Sequence, residues 1–400
     1  MPAVALVLTA HMSARQLFEQ SSQVRNWLLT AEQLEETRLL VNADGVRRLQ
    51  AAAALEAELA AAEGQPLANA AVPQGITWRE QLLYCRFYEG KIVDFCKFFG
   101  FDKTVQATAI VFFKRFYLHN TVMDYDPKIV LITCLFLSTK VENTLIPIDE
   151  FLSKIPKAPE AATIIDQELK VSQGLKFEFA IQHPYWPLHG LFLDMQSYLQ
   201  STQPRQRHPD LIKRLYAIYN QAVDIVTASL ISDVSFQFMP SQIALAAMLE
   251  ASHGTVSHSL TVEGLTAAAA SANAAISAPA TGAVAVVAAA ATLGQTVAQI
   301  MQGFIADRFQ NEEGSRVDGL LAVLAHIRET LRGAPSLVVD KASAGAVAAK
   351  LKTSMNPEFD PASRVFRKRR AETEREAAEK RTRKAEKARH SLEQLATVLN

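Results

Sequence analysis

From Ile76 onward the apolar positions of the chain recur with helical spacing. In TWREQLLYCRFYEGKIVDFCKFF (77–99), Leu83, Phe87, Ile92, Phe95 and Phe99 fall three to five residues apart, the repeat of one helix face. DKTVQATAIVFFKRFYLHN (102–120) sets Val105, Ala109, Phe112 and Phe116 on one stripe. DPKIVLITCLFLSTK (126–140) opens with Asp126 at a predicted N-cap and Pro127 at the first helical position, where its missing N–H costs nothing. Its apolar residues then go all the way round, the mark of a helix enclosed by other helices. APEAATIIDQELKVSQGLKFEF (158–179) is again amphipathic. No segment sustains a period of two, so the fold class is all-α.

A second helical set follows HPYWP (183–187), with PDLIKRLYAIYNQAVDIVTASLI (209–231) and PSQIALAAMLEASH (240–253). The last of these repeats the earlier design, a proline at the helix start and then an apolar run without a polar face. Pro127 and Pro240 lie 113 residues apart, which suggests two related bundles in tandem, each built round one buried helix. In this register Lys140 falls opposite His253, so the second bundle lacks the lysine. Upstream, Thr30 and Gln33 form a capping-box pattern that opens an Ala/Leu/Glu-rich helix to about residue 63. EGQPLANAAVPQG (63–75) breaks it as a linker. The domains are therefore expected at 1–76 (helical segment and linker), 77–180 (first bundle), 181–335 (second bundle) and 336–400 (C-terminal helix and basic tail).

Charge adds one feature. The chain is formally neutral, yet residues 364–390 hold twelve Lys/Arg against five Glu. The tail carries a net of seven positive charges and the remainder the same number of negative ones. An acidic body does not carry the positive footprint of a DNA-binding domain. Residues 264–306 hold no charge over 43 positions, but seventeen are Ala. Alanine contributes little transfer energy, so this stretch reads as a low-complexity insertion at about 255–300, not a membrane span. The N-terminal MPAVALVLTAHM lacks a basic n-region and is not read as a signal peptide; its first eleven residues look appended, with Met12 an alternative start. Cys85, Cys96 and Cys134 make no C-x-x-C pair; they read as reduced core thiols, and no metal site or disulfide framework is expected.

Catalytic chemistry is not visible. No phosphate-binding glycine loop, nucleophile elbow, zinc-protease or EF-hand pattern occurs, and the histidines are scattered. FKRFY (113–117) mixes aromatics with cations, but Phe112 and Phe116 fit core packing better than a base-stacking stripe. What stands out is CLFLSTKVENT (134–144), an apolar run that ends in Lys140. A lysine in the last turn complements the helix dipole; alternatively it sits where the bundle opens and grips something.

Several stretches also carry a family resemblance. YEGKIVDFC (88–96), VFFKRFYLHNTVMDYDP (111–127), LITCLFLSTKVEN (131–143), HPYWPLHGLFLDM (183–195) and SDVSFQFMPSQIALAAML (232–249) together resemble the two boxes of the cyclin family. SSQVRNWLLTAEQL (21–34) is similar to the N-terminal segment of its H type. The resemblance implies tandem five-helix cyclin boxes with additional N- and C-terminal helices and no catalytic residue. It also implies a heterodimer with a cyclin-dependent kinase of the CDK-activating type, a third assembly subunit, and a place in general transcription factor IIH. RNA polymerase II transcription, cell-cycle control, nucleotide excision repair and a nuclear location would follow. No cofactor, no membrane association and no sequence-specific nucleic-acid binding are expected. The alternatives are a C-type cyclin of the Mediator kinase and a transcription factor IIB-like DNA binder. The latter would want a basic body and a zinc ribbon.

By the same resemblance, Lys140 and Glu168 grip the kinase, with Phe136, Leu137, Val141 and Ile165 supplying the apolar surroundings. The grip would fix the kinase helix whose Lys–Glu ion pair catalysis requires. Departures from the family are the long insertion, the long N-terminal helix and the linker. The next helices of the second box are placed at 296–309 and 317–331. Arg367, Lys368, Arg369 and Arg370 form a candidate nuclear-localisation patch, in a tail that could also touch nucleic acid nonspecifically.

Overall fold

The computed structural model describes residues 18–65, 72–202, 208–258, 300–301, 303–305, 307–308, 314–333 and 339–399. Among them all regular structure is helical. The expected Ala-rich insertion lies almost wholly outside the described residues. Two compact units make up the chain. One gathers Met1–Leu34, Arg86–Arg115 and Leu131–Val339; the other Glu35–Cys85, Phe116–Val130 and Asp340–Asn400.

The helices fall close to the apolar patterns. α1 is Ser22–Trp27 and α2 Ala31–Ala62; α3 is Trp78–Phe99, α4 Lys103–His119, α5 Pro127–Val141, α6 Ile148–Ser153 and α7 Ala161–Gly174. α8 is Tyr185–Thr202, α9 His208–Ser229, α10 Val234–Gln237, α11 Pro240–His258, α12 Gly314–Gly333, α13 Lys341–Leu351 and α14 Arg364–Leu399. The capping box is made reciprocally: Gln33 N–H donates to Thr30 Oγ1 at 3.2 Å and Thr30 N–H to Gln33 Oε1 at 2.9 Å. Asp126 caps α5 by accepting from the Lys128 N–H at 2.9 Å. A second capping box, Thr77 with Glu80, opens α3. The sequence pattern missed the six-residue α6 and the Asp340-capped α13.

In the first unit, Leu131 through Thr139 of α5 are buried without interruption. Around them lie Ile92, Phe113, Phe151, Ile164 and Val171 of other helices, all buried. A second core in the same unit centres on α11, whose Ile243–Leu249 are likewise buried. α8, α9 and α12 pack against it, and Met301 and Phe304 belong to the same core. Apolar periodicity thus placed both enclosed helices correctly.

In the second unit, a buried Asp124 carboxylate organises the loop after α4. It accepts from Arg48 Nη2 of α2 at 2.7 Å, from Thr121 Oγ1 at 3.0 Å and from the buried Asn356 Nδ2 at 2.8 Å. α2 meets this loop closely at Gly45, where a Cβ would lie 2.5 Å from Thr121 Cγ2. That contact explains a glycine inside a helix, a position that otherwise costs about 1 kcal/mol in propensity.

Candidate functional site

The end of α5 is built by a terminating motif. Asn143 takes a left-handed φ of 57°, tolerable for Asn where a larger side chain would be strained. The Thr144 N–H then reaches the Thr139 carbonyl at 2.8 Å and the Asn143 N–H the Lys140 carbonyl at 3.3 Å. These two bonds form a Schellman cap. The cap stops the helix directly after the buried run, so Lys140 is its first exposed residue past Leu131.

Lys140 does not point freely into water. Its Nζ donates to Glu168 Oε1 at 2.6 Å and Oε2 at 2.8 Å, and lies 4.4 Å from the centre of the Phe136 ring one turn back. Side-chain exposure is 40% for the lysine and 20% for the glutamate. Glu168 is delivered by α7 at the margin of the face that buries Ile164 and Val171 in the core, one turn from each. The two residues singled out from sequence, 28 positions apart, therefore meet as one bidentate ion pair over an aromatic ring.

The four apolar residues expected around them divide. Phe136 and Leu137 are buried, and the Phe136 ring lies under the Lys140 ammonium. Phe136 also packs at 5.5 Å on Phe151, which in turn stacks on Phe99 at 5.1 Å. Val141 is half-buried. Ile165 is exposed at 54%, as is Leu169 at 57% one turn further on. With Glu168 they form the outward face of α7. Sequence reasoning missed Leu169 and the exposed Leu145 beyond the cap; the i, i+4 repeat of Ile165 and Leu169 was the available signal.

Behind the cap, Glu142 accepts from Thr108 Oγ1 of α4 at 2.5 Å. The same hydroxyl lies 2.8 Å from His183 Nε2, which is buried at the entry to α8. Hydrogen bonding to His183 and Thr108 holds the Glu142 carboxyl below the usual carboxylate range, against the opposing effect of burial.

The cations of FKRFY are structural. Lys114 is buried; it donates to the Leu230 carbonyl at 2.9 Å, to the Ser232 carbonyl and to Ser235 Oγ at 3.0 Å, with its Nζ 5.0 Å from the Phe236 ring centre. Arg115 is buried against Trp27. Burial pushes its pKa down to about 9, opposed by the Glu178 carboxylate. Arg367, Lys368, Arg369 and Arg370 belong to the other unit and occupy the first turns of α14, exposed. Among the described residues no group of His, Cys, Asp and Glu could hold a metal ion, and no helix is long and apolar enough to cross a membrane.

An enclosed helix ending in a lysine, paired with a glutamate two helices later and followed by a second bundle of like design, is the arrangement of a cyclin box pair. The cyclin N-terminal domain pattern matches residues 75–180 and the cyclin C-terminal domain pattern residues 183–332, and the chain belongs to the cyclin family. Within the family its relatives include the H type. It is 34% identical over 236 residues to cyclin CCL1 of Saccharomyces cerevisiae, covering 58% of this chain and 57% of that one. It is 31% identical over 232 residues to cyclin mcs2 of Schizosaccharomyces pombe (58% and 68%) and 29% over 240 to cyclin-H of Xenopus laevis (58% and 68%). A chain of the CAK complex from Chaetomium thermophilum bound to ATP-γ-S shares the fold, with a TM-score of 0.65 at 23% identity over 91% of this chain and 96% of that one. A chain of the yeast TFIIK (Kin28/Ccl1/Tfb3) complex matches with a TM-score of 0.51 at 25% identity over 78% and 99%.

Proposed function

We propose that this cyclin is the regulatory subunit of a cyclin-dependent kinase of the CDK-activating type and acts in RNA polymerase II transcription within general transcription factor IIH. Cell-cycle kinase activation would be its second task, and the nucleus its place of work. The support is threefold: H-type relatives, a structural neighbour in which Ccl1 is assembled with Kin28 and Tfb3, and the Lys140–Glu168 pair beside an exposed apolar helix face. The last observation carries the reading.

The chain contributes no reacting group. It binds the kinase in the conformation where the catalytic Lys–Glu pair is formed and stabilises that state by differential affinity. On docking, the Lys140 ammonium can donate to backbone carbonyls of the partner segment and Glu168 can accept from its N–H groups. Ile165 and Leu169 would bury apolar side chains beside them. A third assembly subunit completes the complex by analogy with Tfb3.

The test is to mix Lys140→Ala and Glu168→Ala chains with the cognate kinase and to measure affinity and substrate phosphorylation. Removing one partner of a charge pair desolvated in the complex costs about 2–5 kcal/mol of binding. Both variants should therefore fail to activate at concentrations where the natural chain saturates. Unchanged affinity and activation in both would refute the assignment.

A further inference from the structure

α14 is the long helix that the cyclin boxes do not use. Its start is fixed. Arg364 Nε donates to Glu63 Oε2 at 2.7 Å and Nη1 to Glu56 Oε1 at 3.2 Å, both carboxylates belonging to the end of α2 and the residue just beyond it. Glu56 Oε2 also accepts the Val365 N–H at 2.9 Å, and the Val365 side chain is buried. From Arg367 to Ala388 every residue is exposed.

Three properties of the exposed stretch narrow its partner. First, its only apolar residues are alanines, so it has no face to insert between lipid chains, as an interfacial membrane helix needs. Second, residues 367–388 carry ten Lys/Arg against five Glu, a net of five positive charges. The internal pairs Arg370–Glu374 at 2.9 Å and Lys380–Glu376 at 3.6 Å are exposed i, i+4 contacts, the weak, solvent-screened kind that yields to a stronger ligand. Third, the cations surround the axis. At 3.6 residues per turn, Lys380, Arg383 and Lys384 share one side, while Arg375, Arg381 and Lys368 face others. A flat acidic protein surface meets one side of a helix. A groove walled by phosphates meets several.

We infer that residues 367–388 of α14 form a binding surface for the phosphate backbone of duplex nucleic acid, held without base readout. A helix of this kind is about 10–12 Å across, the width of the B-DNA major groove. The exposed cations span about 30 Å along the axis at 1.5 Å per residue, close to one duplex turn. The exposed cations are Arg and Lys, with no Asn or Gln between 367 and 388 to read base edges. The inference is independent of the kinase assignment, because it uses no residue of the Lys140–Glu168 site.

The experiment is fluorescence anisotropy of a mixed-sequence 20-base-pair DNA duplex with the full-length chain, titrated at several salt concentrations. Replacing Arg375, Arg381, Arg383 and Lys384 by Gln should weaken binding at low salt by at least about tenfold. It should also flatten the slope of log affinity against log salt by about 3.6, near 0.9 for each phosphate that is no longer neutralised. Glu376→Gln with Glu379→Gln should act in the opposite direction and tighten binding. The inference is overturned if either variant binds the duplex like the natural chain. It is equally overturned if polyglutamate, or vesicles of phosphatidylcholine with phosphatidylserine, compete as well as unlabelled duplex of equal charge.

Discussion

The guanidinium carbon of Arg115 lies 4.6 Å from the centre of the Trp27 ring, with both side chains buried. Trp27 Nε1 and Asn26 Nδ2 each donate to the Glu178 carboxylate at 2.6 Å. The segment before the cyclin boxes is thus fastened to α4 and to the stretch after α7. Trp27→Ala should destabilise the chain by about 3–5 kcal/mol, the usual cost of emptying a large aromatic site. Trp27→Phe keeps most of the packing but leaves the carboxylate short of one donor, at about 1–3 kcal/mol. Urea denaturation of the two variants measures both the size and the order of these losses.

Lys114 makes a different attachment. Its ammonium serves the carbonyls of Leu230 and Ser232 at the turn between α9 and α10. Lys114→Met retains the apolar stem and removes the donors, so each orphaned carbonyl should cost about 1–3 kcal/mol. Limited proteolysis should then open the chain near residues 229–240 sooner than in the natural protein.

Acid should reach the Thr108–Glu142–His183 cluster. The folded-state pKa of Glu142 lies below its ordinary value of 4.5, so folding favours the ionised form. The stability this supplies is fully present above that ordinary value and is lost as pH falls through the lowered one. Glu56, Glu80 and Glu250 are lowered in the same direction and add to the trend. Glu142→Gln should therefore be less stable than the natural chain at pH 6 and converge with it towards pH 3. Denaturant midpoints across that range give the comparison.

Gly45→Ala replaces a poor helix former by the best one, yet the new methyl would collide with Thr121 and approach Met123 Cε at 3.1 Å. Overpacking of this kind costs about 1–3 kcal/mol. A lower melting temperature for Gly45→Ala, reversed by Thr121→Ser in the same chain, is the expected result.

On the outward face of α7, Ile165→Asp and Leu169→Asp should leave thermal stability nearly unchanged, because both side chains are exposed. Their effect should fall on kinase binding, measured by calorimetry. A large loss of stability in either would show that the side chain supports the fold.

Much of this is legible in the sequence because apolar periodicity records which helix faces are enclosed. The uninterrupted runs of α5 and α11 mark the two cores, and the family pattern ties Lys140 on α5 to Glu168 on α7. What was not legible has a common cause: a bare sequence does not show the partners that a residue meets from distant parts of the chain. Lys114 and Arg115 are buried because carbonyls and an aromatic ring replace their water, and nothing local in FKRFY reveals those partners. The resemblance names Phe136 and Leu137 beside the pair, and both belong to the buried run of α5. α6 is too short to show a period, and the Gly45 approach depends on a loop some 76 residues away in sequence.

The Lys140–Glu168 pair changes what docking must overcome. A lone surface lysine gives up as much as about 2 kcal/mol of rotamer freedom when a ligand fixes it. Here much of that freedom is already gone in the unbound chain, because Glu168 and the Phe136 ring hold the ammonium in place. Each charge has been kept poised by the other, and a partner that takes both receives them already aimed.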